Sequence, residues 1–294
     1  MRFFRGATPT LLTLAFTLAA ALPADAQKKV TVGGRPTPGQ TIRLNIVQDA
    51  DIDMKPAEAA AGSPMGPMHL KAKTSTVVSQ KVGMPDEKGG LKVEMTYEDI
   101  TQTLTVNEQP APPEAAAAAT SMKGKTLTLT IDATGDVVDV TSPPDFPMPS
   151  AALKEMLKQA LGLMPKQDLA VGETVTSPFQ MAMPVPVPSA EPPQLKGDLK
   201  TTLNGVSGAP GSEVAALTQV VTAAVDATVA GPQGAGDMAI KMQMTGNGTT
   251  DWDLKGALVK GSRMTTEFKG TITVPGIGVM DMTGTTSVSL DRVP

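Results

Sequence analysis

The side chains able to do chemistry are few, and their types narrow what the chain can do. His69 is the only histidine and there is no cysteine, so a zinc centre, which needs several nitrogen or sulfur ligands, is out of reach. A histidine-assisted serine would have to run through His69, and no G-x-S-x-G motif accompanies it. Asp49, Asp51 and Asp53 alternate like the opening of a calcium loop. The sixth position, however, is Met54 instead of glycine and the twelfth is Ala60 instead of glutamate. That pattern predicts a solvated strand face, not an EF-hand. Gly246-Asn247-Gly248 and Gly276-Ile277-Gly278 lack the third glycine and the helix of a dinucleotide site. The expectation is a protein that is not an enzyme, with no catalytic residue and no cofactor.

Methionine is the remaining chemistry. The chain holds 18 Met against 3% aromatic residues. Met181/Met183, Met242/Met244 and Met280/Met282 are M-x-M pairs, and on a strand both members of a pair share one side. Two readings follow. Soft thioethers on one face bind Cu(I), with Met65, Met68 and His69 as further candidates. The same pairs also continue apolar stripes, where methionine fills a core or lines an adaptable pocket. The second reading leads, and no metal residue is assigned.

The elements that must carry these side chains are strands. Apolar residues alternate with a period of two at Ile42, Leu44 and Ile46, at Leu91, Val93, Met95 and Tyr97, and at Leu127, Leu129 and Ile131. The pattern returns at Val221, Val225 and Val229, at Met238, Ile240, Met242 and Met244, at Met264, Phe268, Ile272 and Val274, and at Met280, Met282, Val288 and Leu290. After Tyr97 the apolar parity changes to Ile100, Leu104 and Val106, which predicts a β-bulge near Asp99. One segment has helical periodicity: Leu153, Met156, Leu157, Ala160, Leu161 and Met164, with Ser150 as N-cap and Pro165 as stop. Three stretches read as loops, Ala57 to Pro67, Pro110 to Thr120 and the Pro-rich Met183 to Pro193. Asp132 to Val138 and Asp253 to Val259 share D-x-x-G-x-aliphatic-Val, the signature of a tight hairpin whose glycine takes a left-handed backbone.

Address and charge bound the function. Arg2 and Arg5, the apolar run Leu11 to Leu22 and Ala24-Asp25-Ala26 read as an export signal, residues 1–26, cleaved after Ala26. A cleaved leader without cysteine in a Gly-, Pro- and Ala-rich chain places the protein in the bacterial periplasm or outside the cell. The net charge of −4, with no basic cluster, argues against nucleic acid. No later run is apolar enough for a transmembrane helix. Residues 27–294 form either one antiparallel β domain or two halves, 27–183 and 194–294, joined by the Pro-rich segment 184–193.

The hairpin at Asp132 to Val138, the helix from Ser150 to Met164 and the strand Leu169-Ala170-Val171-Gly172-Glu173-Thr174 together resemble a family of exported bacterial proteins of unknown function. More distantly the chain is similar to the LolA/LppX-like periplasmic lipoprotein-carrier superfamily. That resemblance implies a mainly β fold, a large curved antiparallel sheet in the form of a half-open barrel with one amphipathic helix on its concave side. It implies a hydrophobic small molecule or lipid on that face, with protein partners unspecified. The expected ligand-binding residues are Met156, Leu157, Leu161, Met238, Met242, Met244, Met264, Phe268, Met280 and Met282. The alternatives are a structural or interaction module of the envelope and methionine-based copper handling.

Overall fold

The computed structural model describes residues 29–57, 66–112, 120–146, 148–165, 167–182, 193–230, 236–276 and 278–293. Residues 1–28, on which the expected leader falls, Met65, Met183 and segment 184–192 lie outside the described residues. In chain order the elements are β1 (Val30–Thr31), β2 (Thr41–Pro56), β3 (Met68–Val82), β4 (Leu91–Val106), β5 (Gln109–Pro110), β6 (Thr126–Ile131) and β7 (Val137–Thr141). Helix α1 (Ser150–Gly162) follows, then β8 (Asp168–Leu169), β9 (Thr174–Ala182), β10 (Gln194–Ser207), β11 (Val214–Ala230), β12 (Asp237–Asp253), β13 (Leu258–Val274) and β14 (Gly278–Val293). Apart from the small β1–β8 pair, all strands join one 12-stranded antiparallel sheet in the order β7-β6-β4-β3-β2-β14-β13-β12-β11-β10-β9, with β5 beside β4. The sheet does not close into a barrel. Its middle is the pairing of β2 with β14, which sets Leu44 against Arg292 and Met54 against Met282.

Register keeps the apolar stripes on one face. Val93, Met95 and Tyr97 of β4 meet Val82, Gln80 and Val78 of β3. Across the bulge Asp99 pairs with Val77 while Tyr97 pairs with Val78, so Glu98 is the extra residue and the parity change predicted near Asp99 is explained.

The sheet must curl. Laid flat, its strand path would set β7 and β9 about 48 Å apart at a spacing of about 4.8 Å. Yet α1, about 20 Å long by its rise per residue, touches both edge strands. Glycines mark the inside of the curl. A Cβ on Gly284 would fall 2.5 Å from Phe268 Cζ and 2.7 Å from Asp51 O, and one on Gly248 would fall 2.9 Å from Met264 Cα. These positions are glycine because neighbouring backbone and large side chains already fill the space. In the register Met264 faces Gly248, Met242 faces Gly270 and Phe268 faces Gly284.

Two local expectations need correction. Ser150 is the first residue of α1, and the cap position is Pro149, which makes no side-chain capping bond. The Ser150 hydroxyl instead receives the Ser142 N–H at 3.2 Å and pairs with the Ser142 hydroxyl at 2.7 Å, tying the helix to the end of β7. The two D-x-x-G turns also differ. At Asp132 the glycine is left-handed, Gly135 at φ 86°, as the motif predicts. At Asp253 the left-handed residue is Ala257, at φ 49°. Gly256 is required there for another reason: a Cβ would fall 2.8 Å from Asp253 Oδ2 and 3.0 Å from Gln40 Nε2.

Candidate functional site: an apolar cavity beneath the helix

The face of α1 turned to the sheet carries Leu153, Leu157, Ala160 and Met164. Leu153 is buried among Val82, Leu91, Val93, Leu127, Leu129 and Val140. Met164 packs at the other end of the helix with Val30, Leu203, Leu217 and Trp252. The helix thus rests on two separate clusters. Between them lies a cavity of about 420 Å³, floored by Ile42, Leu44, Met95, Leu129, Ile131, Met264, Val288 and Leu290 and roofed by Leu157, Ala160, Leu161 and Met164. Among the described residues none that lines it is charged. Leu161, 42% exposed, and Val288, 38% exposed, mark where it opens to solvent.

One wall is polar and uncharged. Thr250 donates its hydroxyl proton to Gln219 Oε1 at 2.8 Å and shares a 2.9 Å bond with Ser262. Gln219 Nε2 has the Met164 thioether at 4.0 Å. The indole Nε1 of Trp252, on the same wall, meets no acceptor among the described residues. A buried donor left unpaired costs about 1–3 kcal/mol.

Of the ten expected ligand residues, Leu157, Leu161 and Met264 line this cavity. Met156 does not. It sits on the flank of the helical stripe opposite Leu161 and is 40% exposed, because a stripe that wide cannot all turn inward on one helix. Met238 and Met242 pack farther along the sheet with Val225, Val229 and Ile240. Met244 and Phe268 are cross-strand partners, Met282 pairs with Met54, and Met280 is buried at the same end. The expected strand residues share the apolar face of the sheet, and of them Met264 alone reaches the cavity. Its floor comes mostly from Ile42, Leu44 and Leu129, which read as ordinary core, and its polar wall from Gln219, Thr250 and Ser262, which no motif marks.

The opposite face is a ladder of charges. Asp49 and Asp51 meet Lys73 and Lys71 across β2 and β3 at 3.4 and 3.5 Å. His69 Nε2 donates to Asp51 Oδ1 at 2.6 Å, and this bond, with Lys71 nearby, holds the Asp51 carboxyl below the usual carboxylate range. Potential ligand atoms of Asp51, Asp53 and His69 all lie within 4.8 Å of one another on this exposed surface. The solvated strand face expected for the alternating aspartates is present. Elsewhere, burial raises the Tyr97 phenol, and the Lys123 ammonium lowers Asp99.

No protein-family model matches the chain, and no curated protein does. Among solved structures, lipovitellin, from a study of its lipid–protein interactions, matches 88% of this chain at 10% identity with a TM-score of 0.48, and the chain spans 25% of its length. An outer membrane channel from Pseudomonas putida F1 matches at 9% identity and TM-score 0.19, over 92% of this chain and 99% of its own. A protein from Bacteroides fragilis described as exported, with a YmcC-like fold, matches at 12% identity and TM-score 0.18, over 90% of this chain and 100% of its own. These likenesses are weak, and none bears on what this chain does. The lipoprotein-carrier resemblance rests on the sequence alone. Among the described residues no helix is long and apolar enough to cross a membrane, which says nothing of strands.

Proposed function

We propose that the protein is an exported, non-enzymatic binder of a lipid or similar apolar molecule, held in the cavity beneath α1. The observation that carries this reading is the cavity itself: a space of about 420 Å³ with no charged side chain among its described lining residues and an opening at Leu161 and Val288. Binding is driven by area, roughly 0.8 kcal/mol for each methylene removed from water. Met95, Met164 and Met264, all lining residues, adjust to different ligand shapes. The polar wall of Gln219, Thr250 and Ser262 orients whatever polar group the ligand carries.

Trp252 is the only tryptophan and lines the cavity, so its emission reports on occupancy. The protein is incubated with a mixed fatty-acid and phospholipid extract and examined by native mass spectrometry and fluorescence. The expected result is one bound apolar molecule and a changed Trp252 emission, with affinity lowered about tenfold or more in Leu161→Glu, a charge placed at the mouth. A bare mass with unchanged emission overturns the reading and favours an interaction module of the envelope.

A further inference from the structure

The register assembles methionines that the sequence does not place together. On the apolar face Met68 of β3 lies directly opposite Met54 of β2, and Met54 lies directly opposite Met282 of β14. The next position in the row is Gly270 of β13, and beyond it comes Met242 of β12. Three thioethers thus stand on adjacent strands, and a fourth methionine lies two strands beyond Met282. Directly opposed residues have Cβ atoms about 5 Å apart, and the inward curl of the sheet brings their side chains closer still. Methionine has three rotatable bonds beyond Cβ–Cα geometry to close the remaining distance.

This row lies at the end of the sheet away from α1. The residues are half-buried, so an ion can reach them. Among the described residues no other methionine lies opposite a second one in the strand register, so directly opposed thioethers occur only in this row.

We infer that Met54, Met68 and Met282 form a site for a soft monovalent metal ion, Cu(I) or its redox-inert analogue Ag(I). Uncharged sulfur donors select soft monovalent ions over Zn²⁺, Mg²⁺ or Ca²⁺, which prefer nitrogen, thiolate or oxygen. Of the M-x-M pairs, only one member each of Met242/Met244 and Met280/Met282 enters the row. The site is built across strands, not along them, which is why spacing in the sequence does not reveal it.

The test is a titration of the full mature chain with Ag(I), and with Cu(I) under ascorbate in competition with a chromophoric Cu(I) chelator. The expected result is one ion per chain. Affinity falls about tenfold or more, equivalent to about 1.4 kcal/mol, in each of Met54→Leu, Met68→Leu and Met282→Leu, and stays unchanged in Met84→Leu, a methionine that is 74% exposed on a connection. Leucine keeps the apolar volume, so the fold survives these changes. In the unmodified protein, labelled with ¹³C at the methionine methyls, Ag(I) shifts the resonances of the three row residues before any others. Retention of the ion by the triple leucine variant, or shifts confined to other methionines, overturns the site. So does an ion that is held as Cu(II) or Zn²⁺ and lost in His69→Ala, which would move binding to the opposite face.

Discussion

The two ends of the apolar face are built from different residues. Beneath α1 the positions are Leu91, Val93, Leu127, Leu129 and Leu203, none more than 3% exposed. At the other end Met54, Met68, Met242, Met244 and Met282 stand half-buried on the same face of β2, β3, β12 and β14, beside the buried Val225, Val229 and Ile240. Branched side chains with few rotamers hold one arrangement, while methionine accommodates several. The comparison teaches that the helix end supplies the stability that a sheet open at its edges needs. The far end, where Val225, Val229 and Ile240 are buried but the methionines only half so, keeps the more adaptable packing.

The sharpest way to break this comparison is to cut the same volume from each end. Leu203→Ala removes a side chain with no exposed surface and should cost about 2–5 kcal/mol. Met244→Ala, half-buried, should cost less than half as much, since part of its area already faces water. Urea unfolding of the two variants decides it. Equal losses would mean that the far end is core in its own right.

The curl itself can be tested with glycines on one strand. A side chain at Gly270 would collide with the backbone of Lys241 and Met242, so Gly270→Val should destabilise by about 1–3 kcal/mol. Gly261 lies on the same strand β13, and a Cβ there would meet nothing closer than 3.5 Å. Gly261→Val should change stability by no more than about 0.5 kcal/mol, the range for unobstructed substitutions. A similar cost at both would show that the strand resists β-branched residues generally, and that the glycines do not set the curvature.

The strands, their faces and helix α1 were legible because alternation and helical periodicity are local signals. The bulge was legible too, since Ile100 and Leu104 break parity with Met95 and Tyr97. What the sequence could not show is lateral order. Pairing β2 with β14 joins residues separated by nearly the whole chain, and no local pattern encodes that choice. For that reason Met54 was read only as a failed calcium-loop position, although it stands between Met68 and Met282. The cavity was hidden for a related reason. Ile42, Leu129 and Leu290 carry no mark that distinguishes a side chain facing a neighbour from one facing a void. The second D-x-x-G turn was misread because its left-handed residue is Ala257, while Asp253 accepts from the Gly256 N–H and from Arg292, far along the chain.

That Asp253–Arg292 contact gives the finest test of the two ends, through acid. Asp253 sits at the helix end, where burial pushes its carboxyl up. The Gly256 N–H, the Arg292 guanidinium at 3.0 Å and the Lys255 N–H outweigh that effect, and the net result is a lowered pKa. A carboxylate whose folded pKa lies below its unfolded value of about 3.9 adds stability that is complete above that value. The contribution is lost as pH falls through the folded pKa. Asp51 at the far end is also lowered, chiefly by the bond from His69, but it is fully exposed and its partners are screened by solvent. Both groups therefore predict loss of stability on acidification below about pH 4, with different weights. Urea midpoints measured from neutral to acid pH should show a flattened acid limb in Asp253→Asn and an unchanged one in Asp51→Asn. Added salt should leave the Asp253 contribution largely in place, because a partly buried pair is screened less than an exposed one. An acid limb that responds to Asp51 instead would place the pH-sensitive stability of the sheet at its open end and reverse the comparison.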